Sequence, residues 1–330
     1  MPHNRDLIAA VEPGLAEAIA TRLAAIERRL VEEAHSDNPF VNDVSRHIID
    51  AGGKRFRPLL VILAAALGDD PDPDMVERAA LVVELTHVAS LYHDDVMDDA
   101  ALRRGIDSAN AHWGNTVAIL VGDLLFARAS SVVATLGTDY VALQARTFAR
   151  LVHGQVAETV GPGPDDDPLA HYMQVVADKT GSLIATSAVF GGMVAGLGTD
   201  ALAALAQFGE EIGVVFQLSD DVIDITSEVS GKAPGTDLRA GVPTLPTLLA
   251  RRSSRPADAR LCALLAAPIE SEADQAEALA LLRAHPAIDE ARLEIHRRAE
   301  AARACLAPLP DGPAKDALAS LCDAVISRSS

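Results

Sequence analysis

The sequence predicts an all-α protein, and three observations carry that expectation. Apolar residues recur at spacings of three and four through most of the 330 residues, which lays them along one face of a helix. No convincing stretch alternates apolar with polar residues between hairpin-type turns, as a half-buried strand would. Only 3% of the residues are aromatic although 49% are hydrophobic, so the core is built mostly of Ala, Val, Leu and Ile, which favours close helix packing.

Turn chemistry sets the helix boundaries in order along the chain. Breaks fall at Gly52-Gly53, from Gly68 to Pro73, at Gly137-Thr138-Asp139, from Gly161 to Pro168, at Gly198-Thr199-Asp200, from Ser230 to Pro246 and from Pro308 to Pro313. The segments between them are expected to be helices of roughly 12 to 25 residues. No linker, low-complexity tract or solenoid repeat separates domains, so a single domain over residues 1–330 is expected. The longest uncharged stretch, Thr180 to Thr199, holds Gly181, Gly191, Gly192, Gly196 and Gly198 and several hydroxyls, which fits a buried helix rather than a membrane span.

With 28 Lys and Arg against 47 Asp and Glu, the formal net charge is −19. Such a surface repels nucleic acid and anionic membrane, so neither a nucleic-acid partner nor stable membrane insertion is expected. The N-terminus shows no basic segment followed by an apolar one, and Cys262, Cys305 and Cys322 lack metal-ligand spacing. A cytoplasmic protein with reduced thiols is the expectation.

One local pattern occurs twice. Asp94, Asp95 and Asp98 in HDDVMDD and Asp220, Asp221 and Asp224 in FQLSDDVID both read Asp-Asp-x-x-Asp. On a helix, the outer two of each set lie on one face about 6 Å apart along the axis. Like charges so placed destabilise a helix unless a cation sits between them, and each motif follows an otherwise apolar run. Oxygen ligands without a His/Cys pair point to Mg²⁺, which bridges carboxylates to phosphate groups. The other acidic runs, Asp69 to Asp74 and Asp165 to Asp167, sit among prolines and glycines as ordinary solvated turns.

Cations cluster at GGKRFRP (Lys54, Arg55, Arg57), LRRG (Arg103, Arg104), Lys179-Thr180 and Gly231-Lys232. Arginine forks and lysine point charges near a glycine-rich turn suit a polyphosphate. Only four lysines occur, and three of them, Lys54, Lys179 and Lys232, fall in these segments.

GGKRFRP, HDDVMDD with LRRG, LVGDLLFARA, KTGSL, FQLSDDVID and GKAPGTDLRAGVPTLP together resemble, in order and spacing, the trans-isoprenyl diphosphate synthase family, from about residue 40 to the C-terminus. The resemblance implies a bundle of long antiparallel helices around a central cavity, a homodimer, and chain elongation of an allylic diphosphate by isopentenyl diphosphate with Mg²⁺. It implies that Asp94 and Asp98, with Asp95 nearby, hold Mg²⁺ against the allylic diphosphate. Asp220, with Asp221 and Asp224 in support, would hold a third ion. Arg103 matches the allylic-diphosphate arginine, and Lys54, Arg57, His87 and Arg104 match the isopentenyl diphosphate site. Lys179, Thr180, Gln217 and Lys232 match positions that close over the allylic diphosphate, while Thr236 stands where many members have a second lysine. His93 is expected to support the acidic cluster by hydrogen bonding.

In the family, bulky aromatics four or five positions before the first aspartate stop growth early. Here those positions are Ser90 and Ala89, both small, so a product longer than C20, in the C30–C45 range, is expected. The alternative within the family is a short-chain C15 or C20 synthase. A class I terpene cyclase is disfavoured because its pocket needs aromatic faces, and a non-catalytic partner subunit because both acidic motifs are intact. A Mg²⁺-dependent phosphohydrolase is disfavoured because no base for water stands out.

Overall fold

The structure, a computed structural model, describes residues 12–226 and 235–327. Its elements run α1 (Pro13–Glu33), α2 (Pro39–Asp50), α3 (Phe56–Ala65), α4 (Pro73–Met97), β1 (Leu102–Arg103), β2 (Ile106–Asp107), α5 (Ala109–Trp113), α6 (Asn115–Ala134) and α7 (Thr138–Val160). There follow α8 (Pro168–Val176), a π-helical turn (Ala177–Gly181), α9 (Ser182–Val194), α10 (Thr199–Thr226), α11 (Thr236–Ala240), α12 (Leu245–Arg251), α13 (Ala259–Leu264), α14 (Glu272–Arg283), α15 (Ala287–Cys305) and α16 (Pro313–Ile326). The all-α expectation is met. The described residues gather into two compact units. One comprises the chain up to Ala149 with Leu183–Gly209 and Leu306–Leu321, and the other Arg150–Ser182, Glu210–Cys305 and the chain from Cys322.

In the first unit α4 is the central helix. Asp72 caps it, its side chain accepting from Asp74 N–H at 2.9 Å, and Pro73 opens the first turn where no donor is needed. The Asp/Pro run is therefore solvated, as expected, and also starts a helix. From Ala79 to Thr86 every α4 residue is buried, so this helix is enclosed on all sides rather than amphipathic, packed by α1, α3 and α6. Removing water from one Val or Leu here stabilises the fold by about 1.5–3 kcal/mol. The uncharged stretch after Thr180 forms α9, with Leu183, Ile184, Ala188 and Phe190 buried, as expected of a core helix. By length and composition alone, α6 and α10 are apolar enough to cross a membrane.

A hairpin not expected from periodicity, β1–β2, pairs Leu102 with Asp107 and Arg103 with Ile106. Two-residue strands are too short to show alternation. Its turn places Arg104 at φ 54° and Gly105 at φ 81°, the left-handed pair that matches strand twist. Glycine is natural there, whereas arginine is not.

In the second unit α11, α12 and α13 are shorter than expected, whereas α14 and α15, of 12 and 19 residues, fall in the expected range. Pro256 and Pro268 fall in the breaks that follow α12, of seven residues, and α13, of six. Ile225, Ala250, Leu261, Leu282, Ala287 and Ile288 form one core cluster here. Cys262 and Cys305 are half-buried and Cys322 is buried, all as free thiols.

Candidate active site

The first acidic motif ends α4. Asp94 is half-buried, Asp98 is exposed at the helix C-cap, and Asp95 between them is fully buried. Asp95 Oδ1 accepts from Arg103 Nε at 2.7 Å and lies 2.5 Å from Arg103 Nη2. The hairpin thus delivers Arg103 to the acidic motif. His93 does not support the cluster as expected. Its Nε2 lies 3.1 Å from the Ile119 carbonyl and 3.4 Å from Asp123, both on α6, because Gly122 leaves room for the ring on that side.

The cations assigned to isopentenyl diphosphate share this unit. Lys54 is exposed, and Arg57, His87 and Arg104 are partly buried. Arg104 donates to the carbonyls of Ile48, at 2.8 Å, and Gly52, so it clamps the end of α2 and the glycine turn. A Cβ on Gly53 would come within 3.1 Å of the Arg104 and Arg55 guanidinium groups, so glycine is what lets them lie against the backbone. Burial brings Arg57 down to about 10, with Glu84 opposing the shift, and lowers Arg104 as well, which leaves Arg57 cationic at neutral pH. His87 is pushed well below its ordinary value, by burial first and then by Arg57, Arg104, Arg55 and Arg103, and is a neutral imidazole at pH 7. Ser90 is buried with its hydroxyl donating to the His87 carbonyl at 2.8 Å, and Ala89 is fully buried.

The second acidic motif ends α10, in the other unit, and repeats the same division of labour. Asp220 and Asp224 are partly exposed, whereas Asp221 is buried. Its carboxylate accepts from the Tyr172 hydroxyl, from Gln217 Nε2 at 3.1 Å and from Leu245 N–H at 3.3 Å. Burial nevertheless raises it to about 7. Gln217 also meets Thr180, whose hydroxyl donates to Oε1 at 3.3 Å, so Thr180, Gln217 and Asp221 form one chain of hydrogen bonds. Thr180 and Lys179 stand on the π-helical turn, a geometry frequent at functional sites. Lys179 Nζ pairs with Glu158 at 2.5 Å, and Arg150 ties the turn to α10 through Asp178 and Glu210. Tyr172, Glu158 and Arg150 are absent from the sequence reading, since no spacing links them to the motifs. Lys232 lies outside the described residues.

Each motif therefore has two carboxylates with solvent access, Asp94 with Asp98 and Asp220 with Asp224, around a buried middle aspartate, and Asp224 also accepts from Asp237 N–H at 3.4 Å. Among the described residues no three His, Cys, Asp or Glu side chains converge into a ready cage. That donor set fits a hard divalent cation which takes one or two carboxylates and completes its shell with waters and substrate phosphate.

Buried helices that end in paired carboxylates beside arginines and lysines define an all-α enzyme that handles diphosphates. Residues 38–282 match the family described as Polyprenyl synthetase. A nonaprenyl diphosphate synthase of Mycobacterium tuberculosis is 46% identical over 327 residues, 98% of each chain. Among solved structures, a geranylgeranyl pyrophosphate synthase from Corynebacterium glutamicum, complexed with calcium and isoprenyl diphosphate, is 44% identical with a TM-score of 0.87, covering 96% of this chain and 98% of that one. A polyprenyl synthase from Caulobacter crescentus, also complexed with calcium and isoprenyl diphosphate, is 33% identical with a TM-score of 0.87, over 96% and 97%. The chain belongs to the polyprenyl synthetase family, and it is a prenyltransferase of that family with the isoprenoid synthase fold.

Proposed function

We propose that the protein condenses isopentenyl diphosphate with an allylic diphosphate to give an all-trans polyprenyl diphosphate longer than C20, in the C30–C45 range. The observation that carries the reaction is the repeated acidic helix end, with two reachable carboxylates at Asp94 and Asp98 and two at Asp220 and Asp224. The allylic C–O bond breaks with its electron pair leaving on the diphosphate. The double bond of isopentenyl diphosphate then attacks the allylic cation, and a proton is lost to the departed diphosphate. Mg²⁺, three ions in our reading, would offset the charge that develops on the leaving group. Asp94, Asp98, Asp220 and Asp224 would hold these ions.

The remaining roles belong to side chains. Arg103, Lys179 and Lys232 bind the allylic diphosphate, with Thr180 and Gln217 orienting the π-helical turn. Lys54, Arg57 and Arg104 bind the diphosphate of isopentenyl diphosphate, and His87 contributes a neutral donor. Asp95 and Asp221 act through Arg103 and Gln217. The family match runs without interruption through segments of both compact units, which supports reading residues 1–330 as one catalytic domain. The enzyme is further read as a cytoplasmic homodimer, with Ile119 and Leu120 of α6, 42% and 62% exposed, supplying apolar surface for a second copy.

Small residues at Ala89 and Ser90 favour the longer product, and the nonaprenyl name of the Mycobacterium relative agrees. The Corynebacterium structure's name favours C20 instead. Incubation with Mg²⁺, farnesyl diphosphate and isopentenyl diphosphate, followed by product sizing, separates the two. Products that stop at C15 or C20 would overturn the longer assignment.

A further inference from the structure

We propose that Glu84 and Arg55 are a buried positioning pair for recognition of isopentenyl diphosphate, touching no substrate themselves and fixing Lys54 and Arg57. It rests on the assignment of Lys54 and Arg57 to that substrate.

Glu84 is the odd residue of α4. It is 1% exposed in the middle of the Ala79 to Thr86 run, where a carboxylate is costly to bury unless it is paired. Its partner is Arg55, whose Nη1 donates to Glu84 Oε1 at 2.8 Å. The rest of the Arg55 fork is also used. Nε and Nη2 donate to the two carboxylate oxygens of Glu27 on α1 at 2.7 and 2.6 Å, and Nη2 reaches the Ile49 carbonyl at 3.2 Å. One guanidinium thus joins α1, the end of α2 and α4 at a single point.

Arg55 lies between Lys54 and Arg57 in the chain, and its backbone is left-handed, at φ 45° and ψ 39°. A non-glycine residue holds that conformation only where its surroundings impose it. Here the four side-chain bonds do so, and the direction in which the chain enters α3 follows. Lys54 just before and Arg57 in the first turn are aimed by that one residue.

Glu84 has a second task. Arg55, Arg57, Arg103 and Arg104 all act on His87, so they crowd one region, and Glu84 offsets the positive charge felt by Arg57 and by Arg104. Its Oε2 and the Nε of Arg57 are both buried without a hydrogen-bond partner. The carboxylate is thus the internal counter-charge that keeps the arginines together before an anionic ligand arrives.

The test is steady-state kinetics on Glu84→Gln, which keeps the volume and an acceptor for Arg55 but removes the charge. The Michaelis constant for isopentenyl diphosphate should rise about tenfold, while kcat and the constant for farnesyl diphosphate stay within about twofold. Arg55→Lys, a point charge that cannot reach three partners, should show the same selective split if Glu84→Gln does not fold. Lys54→Ala is the control for the underlying assignment. If it leaves the isopentenyl diphosphate constant unchanged, that assignment fails. If it raises the constant while Glu84→Gln and Arg55→Lys only lower thermal stability, or lower kcat alone, the positioning role is overturned.

Discussion

Arg103 closes on Asp95, a carboxylate with no exposed surface, through its Nε at 2.7 Å and its Nη2 at 2.5 Å. The arginine matched to the allylic diphosphate thus stands already oriented by the middle residue of the acidic motif. Removing one partner of a buried ion pair leaves the other charge stranded. Arg103→Ala should therefore destabilise the protein by about 3 kcal/mol in urea unfolding, in addition to its effect on turnover. The double variant Arg103→Ala with Asp95→Asn should recover part of that loss, and strict additivity of the two single changes would refute the coupling.

The length of the product should respond to Ser90. Ser90→Phe is expected to shorten the main product by at least one isoprene unit, measured by chromatographic sizing with farnesyl diphosphate as primer. An unchanged product distribution would show that the tail does not pass this residue.

Gly122 is a steric requirement of the residue preceding the acidic motif. A Cβ there would sit 2.3 Å from His93 Nε2, so Gly122→Ala must displace the ring and should cost about 1–3 kcal/mol. His93→Ala in the same chain should relieve most of the cost. Equal thermal midpoints for Gly122→Ala and the wild type would contradict the contact.

His87 makes stability depend on pH in a defined direction. Its folded value lies well below 6.5, so below pH 6.5 the unfolded chain binds a proton that the folded chain refuses. The stabilisation is complete above pH 6.5 and declines as pH falls toward the folded value, by at most about 1.4 kcal/mol per pH unit. His87→Gln should flatten the unfolding free energy between about pH 5 and 6.5 relative to the wild type. Parallel curves for the two proteins would remove His87 as the source.

Chelation should separate chemistry from folding. Because the reachable carboxylates lie at helix ends and not in the core, EDTA should abolish turnover and leave the far-ultraviolet circular dichroism unchanged. Loss of helical signal on chelation would mean that the metal is structural.

Most of the fold was legible because its helices are long and their breaks are rich in Gly, Pro and Asp. The Gly52-Gly53, Gly137 and Gly161 to Pro168 breaks coincide with the gaps before α3, α7 and α8. The β1–β2 hairpin and the short C-terminal helices were not legible, since periodicity needs more residues than they have. At the site, spacing revealed the aspartates but not which of them face the protein. The buried state of Asp95 and Asp221 depends on Arg103, Tyr172 and Leu245, and only folding brings the last two near. His93 adjoins the first motif in sequence, but its ring turns toward Ile119 and Asp123 on α6.

The π-helical turn works as a vernier. Tyr172 bonds Asp221 and Thr180 bonds Gln217, so two residues eight apart on one helix meet two residues four apart on α10. Eight residues of regular α-helix would overshoot two turns by about 80°. One α turn of about 3.6 residues and one π turn of roughly 4.4 make up the eight, and both side chains come to the same face. Segment length here is thus as much a part of the site as composition. Deleting Ala177 would leave every functional side chain in the sequence and still turn Lys179 and Thr180 out of register with Tyr172.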